Sequence, residues 1–325
     1  MSRSPFAEHR ERGLFFVSKA RCRERSRRER KGDMLHFIYN PIAGKGRARR
    51  FREALEVRLT ARGAAYRFHA THGRGEAGDI ARQLSEDALN DALDIVAMGG
   101  DGTLHEVLNG LVDPSRVRLG LVPCGSGNDF AAAAGIPNTV DGVAELLLNG
   151  RAKYTDFLEC GGVRGINAIG TGIDVDILRR YSRMKLLKGS AAYLASLVLT
   201  LFEYQPRRFT EMLEGGLRAH SAFIACAGNG RRIGGGIPIC PRAEIDDGQM
   251  DIVIVDDIRP WRIPAAFVKL MRKRILDLPT TCFRQDTRLR IESEAPMPIQ
   301  IDGEIYEGLP FDVRLISNVL RVYRP

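Results

Sequence analysis

The feature that most constrains this chain is the passage from Asp94 to Leu111. The apolar run Asp94-Ile95-Val96-Ala97-Met98 stops at Gly99-Gly100-Asp101-Gly102-Thr103, and helix-spaced apolar residues follow at once: Leu104, Val107, Leu108 and Leu111. A strand-length apolar run, a glycine punctuation and then a period near 3.6 describe a buried strand that turns directly into a helix. Glycine at such a turn lets the backbone come close to another group. The aspartate in the middle then needs a purpose.

The flanking sequence repeats the alternation. Leu35 to Tyr39 reads as a strand, Asn40 to Gly46 as a turn, and Arg47 to Arg62 as a helix with Phe51, Leu55 and Leu59 on one face. Tyr66 to Ala70 is a strand, Ala77 to Ala88 a helix, Ile95 to Met98 a strand, Leu104 to Leu111 a helix and Leu119 to Pro123 a strand. Strands alternating with helices predict a parallel sheet covered on both faces. After Arg151 the texture changes to short alternating runs: 154–158, 164–169, 209–213, 221–227, 250–255, 288–292, 299–301 and 312–315. These predict a mainly antiparallel β-sandwich or barrel. Two helical segments interrupt them, Met184 to Tyr204 and Pro264 to Ile275. The expected organisation is an α/β nucleotide-binding domain at 34–152 and a β-rich acceptor domain at 153–325, whose last residues return to the first.

Composition restricts the class. The 325 residues are 44% hydrophobic and 27% charged, ordinary for a globular chain of about two domains. The net charge of +9 sits mostly at the start, where residues 1–33 hold eleven basic and five acidic side chains. That segment reads as a disordered leader, or as translation from upstream of a start at Met34, with a basic membrane or nucleic-acid arm as the alternative. Six scattered cysteines, with no CxxC pair, predict free thiols. The longest apolar stretch of note, Ala191 to Phe202, falls short of the ~20 residues that span a bilayer.

Three glycine-rich turns fall at the carboxyl ends of predicted strands: Asn40 to Gly46, Gly99 to Thr103, and Gly125-Ser126-Gly127-Asn128-Asp129. Ligands of parallel α/β sheets bind at those ends, and helix N-termini favour anions. Lys45 adds a point charge. Any one of these turns alone is more simply a tight turn, but three on one sheet edge point to a polyphosphate site. The P-loop and dinucleotide patterns both fail, because Gly46 follows Lys45 where Ser or Thr is required and Phe130 replaces the third glycine of GxGxxG.

GGDGT with a following Asn109-Gly110, then PCGSGNDFAAAAGIP, GNGRRIGGGIPICPRAEIDDG (Gly228 to Gly248) and IQIDGE (Ile299 to Glu304), resemble in order the diacylglycerol kinase catalytic family, which includes sphingosine and ceramide kinases. The resemblance implies an ATP-dependent lipid kinase that uses Mg²⁺, with diacylglycerol the first acceptor to consider. It implies that Asn40, Pro41, Gly44, Lys45 and Gly46 hold nucleotide phosphate. Thr71, Gly99, Gly100, Asp101, Gly102, Thr103 and Ser126 would line the ATP site, with Ser126 standing where the family usually has threonine. Asp129 would belong to a charged network. Asp247, with the carbonyls of Glu244 and Gln249, would hold magnesium, although Asp247-Gly248 alone reads as a hairpin turn. Glu304 would be the base for the lipid hydroxyl; related kinases give that role to the aspartate of GGDGT, here Asp101, so both stay open.

By the same resemblance the chain is expected in the cytoplasm, peripheral at the inner membrane surface, with a homodimer allowed and no nucleic-acid partner. Basic residues between Lys269 and Arg274, near Trp261 and Phe267, would meet anionic headgroups. Two rivals stand beside this reading. NAD kinases also carry GGDGT but phosphorylate a soluble acceptor. A catalytically silent nucleotide-binding regulator at the membrane need not keep Asp101, Asp129, Asp247 and Glu304 together.

Overall fold

The computed structural model describes residues 34–87, 92–183 and 204–325, together with Ser196, Leu199 and Thr200. The basic segment 1–33 falls outside the described residues, as do most of the expected helix from Ala191 to Phe202 and most of the Met184 to Tyr204 insertion.

The first half is a parallel sheet. Its strands β1 (Leu35–Tyr39), β2 (Tyr66–Ala70), β3 (Leu93–Gly99) and β4 (Val117–Pro123) lie in the order β2-β1-β3-β4. Side chains alternate across it, as a period of two requires. Phe37, Val96, Met98 and Val122 pack under helices α1 (Arg47–Ala61) and α5 (Val140–Asn149). Ile38, Ile95, Ala97 and Leu119 pack under α2 (Glu76–Asp87) and α3 (Asp101–Gly110). A short α4 (Asp129–Ala133) follows β4. The register aligns the functional edge: Tyr39 lies level with Met98, and Gly99 with Pro123. All the following turns therefore open on the same side.

Helix α3 starts three residues before its apolar period does. Asp101 and Gly102 have no core-facing side chain to announce it, and the extended Gly100 is its N-cap. Gly110 at its end touches α2 closely, since a Cβ there would lie 2.1 Å from the Gly78 carbonyl oxygen.

The second half is mainly antiparallel. It comprises β5 (Ala152–Cys160), β6 (Val163–Gly165), β7 (Ala168–Gly172), α6 (Ile173–Arg183), β8 (Arg207–Leu213), β9 (Gly216–Gly228), β10 (Met250–Asp256), α7 (Ile263–Met271), β11 (Thr281–Asp286), β12 (Arg288–Glu292), β13 (Ile299–Ile301), β14 (Glu304–Tyr306) and β15 (Phe311–Tyr323). One core joins β9, β10, β12, β13 and β15 through Ala225, Ile252, Leu289, Ile301 and Val313. The run expected as one strand at 164–169 divides at Ile166-Asn167, where the backbone leaves the ladder to bond the Asp302 carboxylate. The expected helix at 264–275 stops at Met271, and the left-handed Lys273 (φ 61°) turns the chain into a short 3₁₀ segment at Ile275–Asp277.

β15 belongs to both halves. Its first part pairs antiparallel with β12 and β5; its last part lies parallel to β4, with Arg321 opposite Arg118 and Val322 opposite Leu119. The Tyr323 hydroxyl donates to Asp94 Oδ1 at 2.8 Å, on the same buried carboxylate that Arg118 grips with two bonds.

Candidate active site

The three glycine turns meet backbone to backbone. A Cβ on Gly44 would lie 2.1 Å from the Cys124 carbonyl oxygen, and one on Gly125 would lie 2.4 Å from Gly100 Cα. Only glycine permits those approaches. In the first turn Asn40 donates its N–H to Met98 O and accepts from Ile42 N–H, closing the loop around Pro41. Gly44, Lys45 and Gly46 then run through left-handed φ values of 60°, 57° and 85°. No side chain caps the helix they open, and its first turn has no acid. The N-terminus of α1, with the exposed Lys45 beside it, is therefore fit for an anion.

Thr71 is buried at the end of β2, where its N–H donates to Tyr39 O at 3.0 Å; it fastens the strand end. Thr103 is also buried and folds back against Gly99, where a Cβ would lie 2.3 Å from its Oγ1. Ser126 is exposed at the wall of the cleft.

That cleft has a volume of about 220 Å³ and is bounded by both halves: Asp101, Ser126 and Asp129 from the first, Asn167, Gly235 and Asp302 from the second. Its acids are tightly held. Asp101 accepts the Asn128 and Asp129 N–H groups at 2.7 and 2.9 Å, which seats it on the N-terminus of α4. Burial, then the neighbouring Asp129 and Asp302 charges, still push its pKa up to about 6. Asp129 accepts from the Gly235 N–H at 2.7 Å, and its other oxygen, Oδ1, is buried without a hydrogen-bond partner. Burial raises the Asp129 pKa too, outweighing that N–H and Arg232. Of the carboxylates that line this cleft beside one another, Asp129 thus keeps an uncommitted oxygen, the kind of donor a hard divalent cation takes.

Glu304 stands at the rim. A Cβ on Gly102 would lie 3.9 Å from its Oε1, and its carboxylate is paired with Arg74 from the loop after β2. Asp101 lines the cleft, as does Gly303, the residue before Glu304. Asp247, Glu244 and Gln249 lie elsewhere: none lines the cleft. Asp247 Oδ1 accepts from the Gln249 N–H at 3.0 Å, and the adjoining Gly248 N–H donates to the buried Asp156 at 2.8 Å.

Comparison with known proteins fits this arrangement. Residues 34–160 match the model of the diacylglycerol kinase catalytic domain, and residues 167–324 match that of the YegS C-terminal NAD kinase beta sandwich-like domain. A Chromohalobacter salexigens protein named "Probable lipid kinase YegS-like" is 30% identical over 86% of this chain and 87% of its own. The chain belongs to the diacylglycerol kinase family. A Staphylococcus aureus diacylglycerol kinase is 26% identical over 89% of this chain and 91% of its own. A solved structure of a Bacillus anthracis diacylglycerol kinase has the same fold, with a TM-score of 0.69 over 90% of this chain and 97% of its own at 22% identity. The chain is a lipid kinase by that membership.

Four residues in or beside this lipid kinase's cleft escape a reading of the sequence. Asp302 reads as one half of an Asp-Gly turn. In the fold it adopts a left-handed φ of 49° and accepts the N–H groups of Ile166, Asn167 and Ala168 at 2.7, 2.9 and 3.0 Å. Nothing in the sequence singles out His105 or Tyr306; they bond at 2.7 Å, and His105 Nδ1 lies 3.7 Å from Asp302 Oδ2. This tie fastens α3 of the kinase to its β13–β14 hairpin. Asp174 is fully buried at the start of α6 and lines the cleft. The Gly-Ile-Asp that leads from β7 into α6 is its only signal in sequence. The Asn109 of the motif proves structural: its amide bonds both the N–H and the carbonyl of Arg164 in β6.

Proposed function

We propose that the kinase transfers the γ-phosphoryl group of ATP to a lipid hydroxyl in this cleft, with diacylglycerol as acceptor and phosphatidic acid as product. The observation that carries the reading is a second cavity beside the first. It holds about 80 Å³, is lined by apolar side chains of α6, β9, β10 and α7, and shares Asp174 and Ile233 with the acidic cleft. A polar reaction site that opens into an apolar one suits an acceptor with a hydroxyl head and a hydrocarbon tail. A soluble dinucleotide acceptor has no use for that neighbour.

The roles follow from position. The left-handed Gly44-Lys45-Gly46 turn and the α1 N-terminus face the phosphates, and the backbone contact of Gly100 with Gly125 keeps side chains out of their path. Mg²⁺, held by Asp101 and Asp129 with the uncommitted Asp129 Oδ1, would neutralise charge on the transferring phosphoryl. Glu304 takes the proton from the acceptor hydroxyl; Arg74 is its partner across the rim until the lipid enters. Asp174, at the junction of the two cavities, accepts a hydrogen bond from the lipid head. The Asp247 turn, with the Glu244 and Gln249 carbonyls, is proposed as a second, structural cation site.

Assay of the purified kinase with a lipid extract and labelled ATP, followed by mass spectrometry, tests the acceptor. Label that partitions into organic solvent is expected; label on a soluble nucleotide would overturn the reading. Asp101→Asn and Glu304→Gln are each expected to fold and to lose at least ~10²-fold in turnover, the scale of lost acid–base assistance. Near-normal turnover in Glu304→Gln would move the base to Asp101.

The outer side of the apolar cavity supports peripheral membrane contact. α7, which lines that cavity with Ala266 and Phe267, exposes Val268 and Met271, with Trp261 just before it and Arg272 and Lys273 just after. Among the described residues no helix is long and apolar enough to cross a membrane.

A further inference from the structure

Away from the cleft, three strands bring a histidine, a carboxylate and a thiol together. His220 of β9, Asp256 of β10 and Cys282 of β11 offer ligand atoms that all lie within 4.8 Å of one another. His220 Nδ1 is 2.9 Å from Asp256 Oδ1, and Asp256 Oδ2 is 3.9 Å from Cys282 Sγ.

A backbone irregularity produces the cluster. Val255 pairs with Ile224, but the next residue, Asp256, pairs with Ala222, so β9 carries one extra residue there. In an unbroken antiparallel ladder Asp256 would oppose Phe223, and His220 would project from the other face. The bulge shifts the phase by one and puts His220 and Asp256 on the same side. Cys282 shares that side because it opposes Ile254, two residues from Asp256. Bulges re-aim side chains in this way.

The far side of the imidazole is also arranged. His220 Nε2 is 3.2 Å from Glu211 Oε2, and Glu211 is gripped by Arg284 at 2.8 Å. A carboxylate on one ring nitrogen fixes the tautomer that leaves the other nitrogen free to ligate. The His220 ring is buried, whereas Asp256 and Cys282 are partly exposed, which gives an ion a way in.

We propose that His220 Nδ1, the Asp256 carboxylate and the Cys282 thiolate form a site for a divalent cation of the zinc class, with the fourth position left to water. One nitrogen, one oxygen and one sulfur suit zinc and disfavour magnesium, which takes oxygen ligands. Ligand atoms about 2.0–2.3 Å from zinc in a tetrahedron lie roughly 3.3–3.7 Å apart. The 3.9 Å thiol distance is slightly wide and the 2.9 Å Nδ1–Oδ1 distance slightly narrow, so a small rotation of the partly exposed Asp256 toward Cys282 brings both toward that range. The rival occupant of that gap is a proton shared between His220 and Asp256. Val255 and Ile258, on either side of Asp256, both line the apolar cavity. The cation would therefore clip three strands at the cavity wall.

Titration of the full chain, freed of metal by chelator and dialysis, with Co²⁺ tests the site. One equivalent is expected to give a thiolate-to-cobalt charge-transfer band with intense tetrahedral d–d bands, and one equivalent of Zn²⁺ is expected to bleach both. Cys282→Ser, at a partly exposed position, is expected to keep the metal-free melting temperature and to lose the charge-transfer band. Glu211→Gln is expected to weaken Zn²⁺ binding by ~10–100-fold, as loss of such an outer partner does. Weak octahedral bands in the parent chain, or a charge-transfer band that persists in Cys282→Ser, would overturn the proposal.

Discussion

Asp174 concentrates the cost of this site in one carboxyl group. Burial, against the smaller pull of the Val175 N–H and the Gln300 amide, pushes its pKa from 3.8 up to about 7. The folded chain thus binds this proton more tightly than the unfolded chain does. The stability it contributes is present below about pH 4, declines as pH climbs from there to about 7, and is gone above. Asp174→Asn removes that dependence. Its melting temperature relative to the parent is expected to rise more at pH 8 than at pH 5, and an equal difference at both would refute the assignment. Asp302 is the opposite case, a carboxylate that three N–H groups require. Asp302→Asn keeps an acceptor for some of them but turns an amide toward another, and is expected to cost about 1–3 kcal/mol in a urea melt. Neither role was legible from residue type. An Asp beside Gly announces a turn, and only tertiary structure shows which N–H groups fill the carboxylate.

At the scale of elements, the sequence was most legible where one period covers a whole segment. β3 and β4 are buried on both faces and read as unbroken apolar runs; α1 shows its Phe51, Leu55 and Leu59 stripe plainly. β11 and β14 passed unseen because their side chains are neither buried nor alternating. The three glycine turns were visible, but their mutual contacts were not, since Gly100 against Gly125 is a property of strand register. α7 carries the prediction at this scale. Its exposed Trp261, Val268 and Met271 lie among basic side chains, each worth up to ~1 kcal/mol near an anionic surface. Sedimentation with vesicles should show stronger binding to anionic than to neutral lipid, weakened by salt and by Trp261→Ala. Equal binding to both vesicle types would argue against this face.

The molecule as a whole depends on β15, which the sequence announced only as a short strand at 312–315. The rest of it, through Asn318 at φ 59°, lacks a plain alternation because its pairing with β5 shifts register there and its other neighbour changes from β12 to β4. Removing residues 319–325 would uncover the edge of β4 and take Tyr323 from Asp94. That truncation is expected to broaden the thermal transition and to lower the melting temperature of both halves. A sharp transition at the parent temperature would show that β15 is dispensable to the first half.

The same strand imposes an order of events during synthesis. β4 ends at Pro123, but the neighbour that covers its edge is the end of β15, at Arg321 and Val322. At about 5–20 residues per second, roughly 10–40 s separate the two. Through that interval the nascent first half presents an apolar, unpaired strand edge of the kind that seeks partners in other chains. Completion of its sheet must wait until β15 has left the ribosome, so this protein is expected to rely on chaperone protection while it is being made.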